Sequence, residues 1–510
     1  MVSGGGAVLA EFREGLASVF YRKGENFINP AQVVNRDLSV LVIRQFWQLV
    51  RSEREKHGEN GTASAKLHVL EALSATGLRA LRYCRETNCI ERIVANDIDP
   101  QAHTIICRNL QENADLNEIL VPNCADAYAY MASHSDTFDV IDLDPFGSAV
   151  SFLDPAVRAI RHGGLLCVTC TDSRVLCGTQ PEVCFARYHA TSLAAPYAHE
   201  EAIRLVLGAI AQQANRHGRH MEPLLSLYID FYVRVFVRIH DDRAAVLNQV
   251  AKTGSIYHCM DCSSYWVQPL GRIKTARATS NCDAKRDRLA VALGPPVHQH
   301  CTVCNARDRM VLGGPFYLGA LHSLDWVRAL RQALESGTDD ASGELRPPLR
   351  ELTPHLAAYK RVQALLTLAH EELDTPPFYL HLPTACKALH CSMPPLSAIR
   401  HILERRFGYR CSQSHHDPLA LKTNAPLRLL WGILRTWAQL EPTKRTPGPE
   451  DVRERIQQAT ADVQFDPPLE PADFARRTTA SSSSSGAKKP RFPPHPTKNW
   501  GPLKATHFRK

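Results

Sequence analysis

The chain has 510 residues, 44% of them hydrophobic and 22% charged, with a net charge of +8. That length predicts two or three domains, each able to bury its own core, and the ordinary apolar content excludes a disordered or fibrous chain. With no run of about 18 uncharged apolar residues, no secretory pattern in the opening MVSGGGAVLAEFREG, and 16 cysteines scattered through helix-like and strand-like segments, a soluble intracellular protein in a reducing compartment is expected.

Residues 1–66 read as a helical lead-in, in which Asn29-Pro30 turns the chain into the amphipathic stretch VVNRDLSVLVIRQFW. Residues 67–245 alternate apolar strand-like runs (LHVLEAL, RIVAND, DVIDLD, LLCVTCT) with helical segments and close on the pair LLSLYIDFYVRVFVRI. That alternation predicts an α/β domain: a mainly parallel sheet with helices on both faces and an antiparallel edge. Residues 246–470 open with a metal-like segment and continue as a mainly helical region broken at Gly337, Pro376-Pro377, Pro394-Pro395 and Gly408. The tail, 471–510, is rich in Ser, Pro and Lys, and from Thr478 to Lys510 it carries Lys488, Lys489, Arg491, Lys498, Lys504, Arg509 and Lys510 with no acid. Its composition predicts a disordered basic arm.

Three acid-bearing segments lie in order along the α/β region. LHVLEALSATGLRALRYC is a strand, a turn and a helix, but its turn holds a single glycine, Gly77, in place of the G-x-G-x-x-G that cradles a pyrophosphate. VANDIDP then ends a strand in acids, including Asp97, and NCADAYAY supplies Asp126 beside Ala127. Acids at such strand ends accept hydrogen bonds from ribose hydroxyls. S-Adenosylmethionine has a ribose and an adenine and no phosphate, so it fits the acids without the glycine loop. The plain alternative for each acid alone is a strand-end cap.

The decapeptide DVIDLDPFGS (139–148) is an apolar/acidic strand running into a rigid turn. Pro145 fixes the backbone, Phe146 offers a flat apolar face, and Asp144 offers a carboxylate that only accepts hydrogen bonds when ionised. Together they suit a planar base carrying an exocyclic amine. The plain alternative for Asp144 is a helix cap.

Cys259-x2-Cys262 and Cys301-x2-Cys304 are two knuckles separated by 38 residues. Paired knuckles predict a structural four-cysteine zinc site, with Cys282, His258, His298 and His300 as substitutes for one ligand and a basic loop (TARATSNCDAKRDR) between them.

With LSATGLRA, ANDID, DLDPFG and the upstream NP…NRDLSV in place, the chain resembles the tRNA (guanine-26-N2)-dimethyltransferase family. Further matches are PYAHEEAIRLVL, GGPFYLGALHS, FGYRCSQSHHDPLALKTNAPLRLLW and the tail's NWGP, so the resemblance covers about residues 20–440 plus a tail motif. It implies a class I methyltransferase (Rossmann-like) domain with a seven-stranded sheet, then a family-specific C-terminal domain. It also implies S-adenosylmethionine as methyl donor and tRNA as partner. Carried onto this chain, the cofactor pocket comprises Arg36, Arg79, Asp97, Asp126 and Ala127, Asp144 is the catalytic carboxylate, and Phe27 with Phe146 sandwiches the target guanine. The plain alternative for Phe27 is core packing. Where the family has F-Y-N-P this chain reads F-I-N-P, with Ile28, and the additional C-terminal zinc finger of larger animal members is missing.

Residues 397–423 read as a helix, a glycine turn and strands, similar to a winged-helix module. Arg405, Arg406, Arg410, His415, His416 and Lys422 are its candidate phosphate contacts. The tail with Phe492 and Trp500 suits an RNA-grasping arm, and its KKPR also suits a nuclear signal; nucleus, mitochondrion and cytoplasm all remain open as locations. No obligate protein partner, and no membrane, is indicated. The alternatives to an active enzyme at position 26 are a catalytically silent tRNA-binding paralogue and a methyltransferase for another RNA base amine.

Overall fold

The computed structural model describes residues 9–22, 28–56, 66–275, 287–335, 355–441, 451–475 and 491–494. The chain enters through an antiparallel hairpin, β1 (Leu9–Glu14) and β2 (Ala17–Arg22). The lead-in is therefore not helical throughout. Val19, Phe20 and Tyr21 favour strand, and Gly15 turns the hairpin at φ +59°, where a Cβ would fall 2.2 Å from Glu86 Oε1. Helix α1 (Val33–Lys56) follows.

The central sheet is built from β3 (Leu67–Glu71), α2 (Leu78–Thr87), β4 (Ile90–Asp97), α3 (Pro100–Gln111), β5 (Leu120–Cys124), α4 (Ala127–Ala132), β6 (Phe138–Leu143), α5 (Val150–Ala159) and β7 (Ile160–Cys170). After α6 (Ser173–Leu176), α7 (Pro181–Tyr188) and α8 (Ala198–Arg216), the antiparallel pair β8 (His220–Ile229) and β9 (Tyr232–His240) closes it. Strand order is β5-β4-β3-β6-β7-β9-β8, parallel from β5 to β7, with β9 antiparallel to both its neighbours. This is the expected seven-stranded α/β sheet. Its middle strands are buried on both faces, and β6 has no exposed residue, which is why they read as unbroken apolar runs.

Beyond α9 (Arg243–Asn248), strands β10 (Thr253–Cys259), β11 (Tyr265–Pro269) and β14 (Met310–Tyr317) form a three-stranded antiparallel sheet, and β12 (Gly271–Thr275) pairs with β13 (Asp287–Val291). Helices α10 (Leu324–Glu335) and α11 (Tyr359–Glu371) return to the central sheet: Val327, Leu330 and Val362 share a core with Leu38 and Ile43 of α1. The last unit holds β15 (Leu380–His381), α12 (Leu382–Ala388), α13 (Leu396–His401), β16 (Cys411–Ser412), β17 (Ala420–Thr423), α14 (Leu427–Leu440) and α15 (Val452–Ala459). Its strands are ordered β15-β17-β16, giving helices around a small antiparallel sheet, the make-up of a winged helix. Packing continues past residue 470, since Phe474 is buried against Trp437 with ring centroids 5.1 Å apart. In the tail, Arg491 pairs with Glu371 at 2.5 Å; Trp500 and the other basic tail positions lie outside the described residues. Among the described residues no helix is long and apolar enough to cross a membrane.

Two of the candidate phosphate contacts lie inside the protein, and a third, His416, is half-buried. Lys422 donates to Glu200 of α8 and to Glu372, both at 3.1 Å, with its side chain 1% exposed. His415 is buried, its Nδ1 2.7 Å from Glu372, and its Nε2 accepts from the Tyr228 backbone at 3.0 Å. His416 packs on His199 and Tyr228, and burial pushes its pKa down to about 3. These groups tie the C-terminal unit to the sheet; a buried lysine held by two carboxylates cannot reach a phosphate. Arg405 and Arg410 are exposed and Arg406 is half-buried.

Candidate active site

The carboxyl ends of the parallel strands form one edge, and the loops leaving them carry the candidate residues. After β3 the chain turns through Ala75 (φ +49°) and Gly77 (φ +76°) into α2. Asp97, the last residue of β4, accepts the Ala75 N–H at 2.8 Å on Oδ2 and the Asp99 N–H at 3.0 Å on Oδ1. Asn96 binds this edge together, donating to the carbonyls of Ala72 and Ala125 at 3.0 and 3.1 Å. Asp126 caps α4: its Oδ1 accepts from Tyr128 and Ala129 at 2.7 and 3.1 Å, and Ala127 is buried behind it. Both acids are thus strand-end caps held at fixed angles. Beside them Ile98 is 65% exposed, leaving an apolar side chain open to solvent at this edge.

Asp144 follows β6 and contacts Arg79 of α2 through a short ion pair. Arg79 is buried, donates to Asn35 Oδ1 at 3.1 Å and Ser39 Oγ at 3.3 Å, and lies 3.6 Å from Asp142. Asp142 of β6, two residues before Asp144, is held by Arg234 and by the Tyr83 hydroxyl at 2.5 Å. Burial raises the pKa of Asp142, but Arg234 and Arg79 outweigh it and hold the group below the usual carboxylate range. Phe146 is 82% exposed at the tip of the turn.

The edge brings Asp97, Asp126, Ala127, Asp144, Phe146 and Arg79 together. Arg36 is placed differently: it grips Glu14 through two bonds of 2.6 Å and the Asn29 carbonyl at 3.3 Å, while its neighbour Asn35 faces Arg79. Phe27 lies outside the described residues. Sequence reasoning missed Asn35, Asn96, Asp142 and Arg234. Asp142 had a local signal, an acid inside an otherwise apolar strand, which must be paired to stay charged.

The second candidate centre is compact. Sγ atoms of Cys259, Cys262, Cys301 and Cys304 all lie within 4.8 Å of one another in buried surroundings. Cys259–Cys304 and Cys262–Cys301 are each 3.6 Å apart, far too long for a disulfide and close to the roughly 3.8 Å edge of a tetrahedral zinc–thiolate site. Backbone N–H groups of Val303 and Cys304 point at Cys301 Sγ at 3.4 Å. His258 is turned away to the Tyr197 hydroxyl at 2.9 Å, and His298 and His300 are exposed. Cys282 lies outside the described residues. The four cysteines alone fit a tetrahedral metal.

A parallel sheet with this strand order, no glycine-rich phosphate loop and acids at three successive strand ends defines a class I methyltransferase. Residues 6–435 match the family of N2,N2-dimethylguanosine tRNA methyltransferases, and the chain belongs to that family. It is 36% identical to the tRNA (guanine(26)-N(2))-dimethyltransferase of Schizosaccharomyces pombe, over 98% of this chain and 93% of that protein. It is 34% identical to the human enzyme of that name, over 96% of this chain and 76% of the human one. Among solved structures, Trm1 from Pyrococcus horikoshii in complex with S-adenosyl-L-methionine superposes with a TM-score of 0.63 and 28% identity, covering 82% of this chain and 97% of that one.

Proposed function

We propose that this chain transfers methyl groups from S-adenosylmethionine to the exocyclic N2 of guanine 26 in tRNA, giving N2,N2-dimethylguanosine, with Asp144 as the carboxylate that acts on the amine. Membership of the family supports the reaction, and the strand-end acids support the methyl donor. The single observation that carries the role of Asp144 is its place on a rigid turn beside an aromatic ring that is 82% exposed.

Bound S-adenosylmethionine supplies an electrophilic methyl group; Asp97, Asp126 and Ala127 would hold its nucleoside, with Ile98 against the adenine. The guanine amine is a poor nucleophile because its lone pair is delocalised into the ring. Asp144 accepts a hydrogen bond from one N–H and localises that pair. As the N–C bond forms and the S–C bond breaks, the carboxylate takes the proton and passes it to water. The carbonyl of Pro145 or of a neighbour would accept from the other N–H. Extruding the base costs a few kcal/mol, and stacking on Phe146, with Phe27 on the opposite face, returns about 1–3 kcal/mol per base. Arg36 would join the donor site by exchanging Glu14 for a ligand. Arg405 and Arg410 would contact tRNA phosphates. The four cysteines would hold zinc as a structural staple. The KKPR run and a Saccharomyces cerevisiae relative named as mitochondrial support work in the nucleus, the mitochondrion or both.

The test is methyl transfer from labelled S-adenosylmethionine to unmodified tRNA, read by nucleoside mass spectrometry. N2,N2-dimethylguanosine at position 26, lost in Asp144→Ala with donor binding retained, is the expected result. Tight tRNA binding without product would overturn the enzymatic reading.

A further inference from the structure

In the turn that carries Asp144 and Phe146 only Phe146 is exposed, with Asp144, Gly147 and Ser148 half-buried, and nothing lies within 4 Å of where a Gly147 Cβ would sit. Besides the ion pair from Arg79 to Asp144, two further tethers hold the turn. One is reciprocal: the Gly147 N–H donates to Thr171 Oγ1 at 2.8 Å, and the Thr171 N–H donates to the Gly147 carbonyl at 2.7 Å. The other is a relay. Ser148 Oγ donates to the Tyr188 hydroxyl at 2.8 Å, and that hydroxyl donates to Asp172 Oδ1 at 2.9 Å. Asp172 is fixed in turn by Arg187 at 3.1 Å. Tyr188 is 1% exposed at the end of α7, so the relay is anchored in the core and reaches the turn through one serine.

We infer that Tyr188, backed by Asp172, is a positioning residue that holds the Asp144–Phe146 turn in its reactive geometry through Ser148. This rests on the role proposed above for Asp144. The hydroxyl touches no reacting atom. Burial pushes the Tyr188 phenol well above its ordinary pKa, so it keeps its proton and the direction of the relay is fixed: it accepts from Ser148 and donates to Asp172. In-line methyl transfer is sensitive to displacements of about 1 Å, and a turn released at Ser148 lets the carboxylate and the ring drift from the amine together. The effect falls on turnover, because Asp97 and Asp126 hang from other strands.

Tyr188→Phe keeps the ring and removes the hydroxyl; Ser148→Ala cuts the relay at the turn and leaves Tyr188 on Asp172. Both are expected to lower kcat for tRNA methylation about tenfold, with KM for S-adenosylmethionine unchanged and only the modest fall in melting temperature that the loss of one hydrogen bond brings. Asp172→Asn, which keeps an acceptor for the phenol, is expected to retain most of the turnover that Asp172→Ala loses. Wild-type kcat in Tyr188→Phe and Ser148→Ala would overturn the inference, as would losses of kcat that follow losses of thermal stability. Asp144→Ala in the same assay separates the two readings: if it stays active, the role of the turn itself is wrong; if it is dead while both relay variants are fully active, only the relay is.

Discussion

Arg234 of β9 donates to both oxygens of Asp142 of β6, two residues before Asp144, at 2.8 and 2.9 Å, with both side chains fully buried. Thr169 and Ser39 accept from the same guanidinium at 2.9 and 2.7 Å. The Arg234 Nε has no hydrogen-bond partner among the described residues; a buried pair of this kind adds little net stability over an apolar one, but removing one partner strands the other. Arg234→Met is therefore expected to destabilise the fold by about 3–5 kcal/mol. The double variant Arg234→Met/Asp142→Leu should recover much of that loss. Denaturant melts of the two variants check this; equal losses in both would contradict it.

The parts legible in the sequence are those whose signal is local. Asp97, Asp126 and Asp144 each end a strand within a few residues of an apolar run, and each knuckle is a four-residue pattern. What escaped is set by distant pairing. Arg79 meets Asp144 across 65 positions, Arg234 meets Asp142 across 92, and Lys422 meets Glu200 across 222. A lysine in a polar stretch reads as surface until its carboxylates are known, which is why Lys422 and His415 read as phosphate contacts in the sequence. The β1–β2 hairpin was readable from its alternation around Gly15, but its strands are short and border a long helix.

Glu71, at the end of β3, predicts how stability responds to pH. Burial raises its pKa from 4.5 to about 8 although Arg79 opposes the shift. Between those values the native state holds a proton that the unfolded chain has lost, so stability must fall as pH rises, and the contribution is gone above about 8. Relative to Glu71→Gln, the wild type should lose up to about 1.4 kcal/mol per pH unit across this window. Denaturant melts at several pH values measure it, and parallel profiles for the two proteins would refute it.

Lys422 neutralises Glu200 and Glu372 where the C-terminal unit meets α8. Replacing it by methionine keeps the stem and removes the cation, leaving Glu200 to pair with Arg204 and Glu372 with His415 alone. A loss of about 3–5 kcal/mol is expected, with tRNA affinity of the folded fraction unchanged. A weaker tRNA complex at full stability would instead restore a phosphate-binding role.

The cysteine quartet should carry about one zinc per chain. Metal analysis of the purified protein, with and without chelator, reads the occupancy directly. Cys301→Ser removes one thiolate and the sulfur that accepts from Val303 and Cys304, and should lower both the metal content and the melting temperature. Substoichiometric metal in a fully stable wild-type protein would remove zinc from the site.

Phe146 offers the sharpest separation of function from folding. At 82% exposure its ring contributes little to the core, so Phe146→Ala should leave stability within about 0.5 kcal/mol of wild type. If the ring receives the extruded guanine, the variant forfeits a stacking interaction of about 1–3 kcal/mol, equivalent to roughly 5- to 150-fold in kcat/KM for tRNA. Phe146→Tyr keeps the flat face and should retain most of the activity, whereas Phe146→Leu keeps apolar bulk without the ring and should not. Binding of S-adenosylmethionine, measured separately, should be the same in all three, because the acids proposed for the donor end β4 and cap α4. Equal activity in the leucine and tyrosine variants would show that bulk rather than stacking matters at this position.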